Sequence, residues 1–101
     1  MVVLICFDLP RYTKLERKQA TKFRQQLVEL GFEMVQYSVY ERHVENSNTI
    51  KNILEALHNW VPEKGEITAY HLSDEIYKKQ NIILGAKVVR HIKKEPQLIY
   101  L

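Results

Sequence analysis

Apolar residues run unbroken from Val2 to Phe7. A run of strand length without alternation predicts a central strand covered on both faces. Asp8 ends it, and Leu9-Pro10 stops further pairing because proline lacks the N–H that a sheet ladder needs. Thr13 and Glu16 then stand at the spacing of a capping box, so a helix is expected to follow. Along it Ala20, Phe23, Leu27 and Leu30 recur at intervals of three and four, which draws a buried stripe, and Gly31 supplies the stop. From Glu33 to Val44 the pattern changes. Val35, Tyr37 and Val39 alternate with Gln36, Ser38 and Tyr40, and this predicts one long strand. Asn46-Ser47-Asn48 offers turn and N-cap chemistry for a second helix, with Ile50, Ile53, Leu54, Leu57 and Trp60 as its buried stripe. Pro62 and Gly65 close that helix. A third strand is expected from Glu66 to Leu72, a single helical turn at Ser73-Asp74-Glu75, and a short fourth strand from Asn81 to Leu84.

These elements predict an α+β fold of ferredoxin-like type, a βαββαβ sandwich with a four-stranded antiparallel sheet and two helices on one face. Residues 1–85 would form that domain. Residues 86–101 form a tail, basic from Lys87 to Glu95 and apolar and β-prone from Gln97 to Leu101. Exposed sheet edges are usually paired or blunted. The tail could fold back on its own sheet or add a strand to a second copy; the second is preferred, giving a symmetric homodimer with exchanged C-terminal strands.

Composition narrows the function. The 101 residues are 46% hydrophobic and 27% charged, which suits one globular domain and excludes disordered and fibrous classes. No stretch approaches the roughly 18 apolar residues of a membrane span. The chain enters its first strand without a basic leader, and its single cysteine, Cys6, cannot form an internal bridge; a cytoplasmic location is expected. Three glycines leave no room for a Gly-rich phosphate loop, which removes most nucleotide-cofactor enzymes. The net charge of +3 is unevenly spread. Residues 1–31 hold six basic residues against three acidic, residues 32–75 three against eight, and residues 76–101 six against one. If the two ends of the chain converge, they make a basic face that suits a polyanion; the alternative is two solvated lysine-rich surfaces.

Few side chains could do chemistry. Asp8 stands at the end of an otherwise apolar strand, where it could hold Mg²⁺ while water and substrate phosphates complete the shell. Two copies facing each other would offer two carboxylates for phosphodiester chemistry. From the residues alone, the plainer reading is that Asp8 caps the following turn. His43, His58, His71 and His91 show no ligand spacing, so zinc is not expected, and His71 reads as a partly buried strand residue. Ser38 lacks an elbow motif, which leaves an acyl-transfer triad unsupported. Arg11, Lys14, Arg17 and Lys18, beside a helix N-terminus, are the candidates for phosphate contacts.

Several segments together resemble CRISPR-associated protein 2, the small partner of the CRISPR spacer integrase. They are Val2–Pro10, the basic start of the first helix, Leu30-Gly31-Phe32, Gln36-Tyr37-Ser38-Val39-Tyr40-Glu41 and Leu72-Ser73-Asp74-Glu75-Ile76-Tyr77, across residues 1–85. The resemblance implies a ferredoxin-like homodimer with exchanged C-terminal strands. It also implies a metal-dependent endonuclease acting on single-stranded RNA or double-stranded DNA, with Asp8 binding Mg²⁺ at the dimer interface and Tyr40 in support. It implies a role in spacer acquisition, in which the dimer bridges dimers of CRISPR-associated protein 1 along duplex DNA. Two other readings stand beside it: a toxin-type ribonuclease resembling virulence-associated protein D, and a non-enzymatic regulatory or RNA-binding domain.

Overall fold

The computed structural model describes residues 1–84, in the order β1 (Val2–Asp8), α1 (Lys14–Glu29), β2 (Glu33–Gln36), β3 (Val39–His43), α2 (Ser47–His58), β4 (Glu66–Leu72) and α3 (Asp74–Tyr77). All strand pairs are antiparallel and the sheet order is β2-β3-β1-β4, so β1 is central as its unbroken apolar run predicts. With α1 and α2 between the strands, this is the ferredoxin-like βαββαβ arrangement.

Alternate residues of β1 explain the layers. Val3, Ile5 and Phe7 bury against Phe23 and Leu27 of α1 and Ile50, Ile53 and Leu57 of α2. The Phe7 and Phe23 rings meet edge to face at 5.1 Å. The opposite face carries no α1 or α2 residue, and there Leu4, Cys6 and Val39 remain only half-buried and Tyr70 is 49% exposed. One end of this face is closed by α3, whose Tyr77 hydroxyl donates to both carboxylate oxygens of Glu41 at 2.7 and 2.9 Å. Its ring stands edge-on to His43.

The helix ends follow the capping signals. The Thr13 hydroxyl accepts from the Glu16 amide at 3.0 Å while the Glu16 carboxylate accepts from the Thr13 amide at 2.9 Å. Asn46 and Ser73 cap α2 and α3 by the first half of this arrangement, their side-chain oxygens accepting from the Thr49 and Ile76 amides. Gly31 follows α1 at φ 87°, and Arg42 Nη1 donates to the Leu30 carbonyl at 2.9 Å, satisfying one of the helix's last acceptors.

Three expectations are corrected. The long strand from Glu33 to Val44 is a hairpin, broken at Tyr37 and Ser38. The expected faces do not hold: the β2–β3 register shifts between Met34 and Gln36, Tyr37 is 53% exposed, and Tyr40 rather than Val39 is buried, as is Val44. Folding back allows β2 to pair with β3, so the sheet acquires its fourth strand here. Accordingly, Asn81–Leu84 is not a strand; Ile83 and Leu84 are 76% and 95% exposed. His71 is exposed rather than partly buried, because β4 is an edge strand that the helices cover incompletely. The expected tail at residues 86–101 lies outside the described residues.

Candidate nucleic-acid and metal site

Four chain segments converge at one end of the sheet: the end of β1, the loop into α1, the β2–β3 turn and the start of β4. A groove of about 840 Å³ opens there, lined by Asp8, Leu9, Pro10, Arg11, Tyr12, Lys64, Gly65 and Glu66. Asp8 is exposed and lies directly across the β1–β4 ladder from Glu66, so the two carboxylates share a sheet face.

Backbone packing fixes Asp8. Gly65 has φ 113°, and a Cβ placed on it would come within 2.7 Å of both the Asp8 carbonyl oxygen and Leu9 Cδ2. Only glycine permits that approach in that conformation. The loop beyond is held by its own side chains. The Glu16 carboxylate accepts from the Tyr12 amide at 3.1 Å, and Arg17 Nη1 donates to the Arg11 and Tyr12 carbonyls at 3.2 and 3.1 Å. Its hydrogen bond from the Thr13 backbone is the largest influence holding the Glu16 carboxyl below its ordinary range, so Glu16 stays charged beside the basic loop.

The four basic residues expected to meet phosphate therefore take different places. Arg11 lines the groove, while Arg17 also braces the loop. Lys14 and Lys18 are exposed along α1, where with Arg17, Thr21, Lys22 and Gln25 they border a second, smaller depression of about 300 Å³. Tyr40 lies away from the groove. It is 4% exposed and packs on Phe7 at 5.8 Å, and its ring fills core space.

Some contributors were not singled out from sequence. Lys64, Gly65 and Glu66 enter through β4 pairing, which no local pattern marks. Arg24 and Tyr37 also gather at this end. The Arg24 guanidinium carbon lies 4.1 Å from the Tyr37 ring centroid.

Carboxylate oxygens in a wet, open groove suit a hard cation that keeps most of its water. A closed nitrogen and sulfur cage would need more donors. Among the described residues no group of three His, Cys, Asp or Glu side chains could hold a metal. The exposed Asp8 carboxylate is the kind of oxygen donor that a hydrated divalent cation takes, with water completing its shell.

A family model described as CRISPR associated protein Cas2 matches residues 1–80. The chain belongs to the Cas2 family. It is 36% identical over 88 residues to the CRISPR-associated endoribonuclease Cas2 of Ligilactobacillus salivarius (strain UCC118), covering 87% of each chain. It is 33% identical over 96 residues to the protein of the same description from Flavobacterium psychrophilum, covering 95% of this chain and 84% of that one. The fold is similar to that of Streptococcus pyogenes Cas2 in its crystal structure at pH 6.5. The TM-score there is 0.65 at 25% identity, over 84% of this chain and 100% of that one. No helix among the described residues is long and apolar enough to cross a membrane.

Proposed function

We propose that this Cas2-family chain acts in CRISPR spacer acquisition as a homodimer, which scaffolds the CRISPR-associated protein 1 integrase on double-stranded DNA. It carries a slow, Mg²⁺-dependent endonuclease activity toward single-stranded RNA or duplex DNA. The observation that carries the reading is the exposed Asp8 carboxylate in a groove that Arg11 and Lys64 also line. Its relatives' description as endoribonucleases supports phosphodiester chemistry.

In this reading Asp8 and Glu66 would hold the cation, and Arg11 and Lys64 would contact substrate phosphates. When bound, Mg²⁺ offsets charge on the phosphodiester and lowers the pKa of a coordinated water. Lys14, Lys18 and the exposed edge of Arg17 extend the cationic surface along α1, where contacts to backbone phosphate position a duplex without reading its sequence. Among the described residues the groove lining includes no histidine to serve as a general base, in keeping with the slow activity proposed. The half-buried strip of Leu4, Cys6, Val39 and Tyr70 supports a homodimer whose copies meet through the sheet face that α1 and α2 leave uncovered. A cytoplasmic location accords with work on intracellular nucleic acid.

The test uses purified protein with single-stranded RNA and duplex DNA, with Mg²⁺ or a chelator. Asp8→Ala is expected to abolish Mg²⁺-dependent cleavage and leave duplex binding intact. Cleavage surviving in a clean preparation of that variant would overturn the role of Asp8. For the scaffold, duplex binding should weaken with salt and tighten when the integrase subunit is added; absence of binding at low salt, with and without that subunit, would refute it.

A further inference from the structure

Tyr37 sits at the turn between β2 and β3 with two arginines around it, and neither Tyr37 nor Arg24 lines the groove described above. Arg24 follows Phe23 on α1. Its guanidinium carbon lies 4.1 Å from the Tyr37 ring centroid and 5.2 Å from that of Phe7. Arg11 approaches the same ring from the loop after β1, with its guanidinium carbon 5.2 Å from the centroid and its Nη1 donating to the Tyr37 hydroxyl. Two positive charges from different elements are thus gathered on one half-exposed ring.

Stacking on an aromatic ring attracts a guanidinium but neutralises none of its charge. Among the described residues no carboxylate forms an ion pair with Arg11 or Arg24. The Arg24 Nε is buried and has no hydrogen-bond partner there. Like charges held together without a counter-charge repel each other, and a bound anion would reverse that cost. The position also matters. The Phe7 amide donates to the Ser38 carbonyl at 3.1 Å, which ties the turn to β1 one residue before Asp8.

We infer that Arg11 and Arg24, oriented by Tyr37, form a phosphate-binding subsite that takes a backbone phosphodiester of nucleic acid. The inference rests on the nucleic-acid reading above and adds a contact from the middle of α1 and the β2–β3 turn. Tyr37 is a positioning residue: its ring and hydroxyl fix the guanidiniums in the geometry that a phosphate accepts.

The test is the salt dependence of duplex DNA binding by the full chain, read by fluorescence anisotropy. Arg24→Gln is expected to weaken binding about three- to tenfold near 0.1 M salt and to lower the slope of log K against log salt by about 0.9, one phosphate contact. Arg24→Lys keeps the charge and should restore most of the slope. Tyr37→Ala weakens binding at each salt concentration, and Tyr37→Phe, which keeps the ring, recovers most of the loss; Tyr37→Ala binding as tightly as the unaltered chain removes Tyr37 from the subsite. An unchanged slope in folded Arg24→Gln overturns the subsite and leaves the wider reading standing, whereas no binding by the unaltered chain overturns both. Arginine footprinting with phenylglyoxal on the unaltered chain decides the matter if Arg24→Gln fails to fold: duplex should protect Arg11 and Arg24, and lack of protection refutes the subsite.

Discussion

The substitution Gly65→Ala tests how Asp8 is held, because the structure separates its cost into two parts. The first is backbone strain. Gly65 has φ 113°, a conformation that costs a residue with a Cβ about 1–3 kcal/mol. The second is a collision. The added Cβ would lie 2.7 Å from the Asp8 carbonyl oxygen, a backbone atom that can retreat only by moving β1 or the start of β4. Overpacking of that kind adds about 1–3 kcal/mol. Gly31→Ala is the matched control. Its φ of 87° imposes strain of the same kind, but its nearest neighbour is Arg42 Nε at 3.4 Å, part of a flexible side chain. Gly65→Ala should therefore cost about 2–6 kcal/mol and Gly31→Ala about 1–3 kcal/mol. Urea denaturation at one fixed protein concentration measures both, since a dimer's apparent stability varies with concentration. A Gly65→Ala midpoint equal to or above that of Gly31→Ala would refute the claim that this glycine wedges Asp8 in place.

Phe23→Ala removes a fully buried ring that meets Phe7 edge to face, and should destabilise the domain by about 3–5 kcal/mol in the same denaturation experiment. Glu16→Gln should flatten the acid limb of the stability curve. The Glu16 carboxyl is lowered in the fold chiefly by its bond from the Thr13 backbone, so its contribution is present above its ordinary value of 4.5 and fades as pH falls through the lowered one. Thermal midpoints of the two proteins should differ near neutrality and converge in acid, and the gap should narrow in high salt because the group is exposed. Parallel curves down to strong acid would show that the capping charge contributes nothing. Asp74, lowered mainly by its hydrogen bond with the Met1 amino group, should give both proteins a common loss of stability in acid.

The elements that could be read from the chain are those whose signals are local. Thr13 and Glu16 form their capping box within four residues of each other, and the stripe of Ala20, Phe23 and Leu27 is buried as its spacing predicts. The β2–β3 hairpin could not be read in this way. Its turn has no glycine, proline or asparagine and no residue at positive φ, so alternation runs through it without a visible break. What forces the turn is long-range: once β1 has taken β3 as its neighbour, Glu33–Gln36 has a partner only by folding back.

The site divides along the same line. Asp8 was visible because a charge at the end of an apolar strand is a local anomaly. Lys64 and Glu66 were not, because they become neighbours of Asp8 only through a ladder that closes over more than fifty residues of chain. Tyr37 shows the link most directly. As part of one long strand it would project from a sheet face, but at a turn tied to Phe7 it stands between arginines from the loop and from α1. The turn and the meeting of Arg11 with Arg24 therefore escape the sequence pattern for one reason. A change that straightened this hairpin would remove β2 from the sheet and disperse the cationic cluster in the same step.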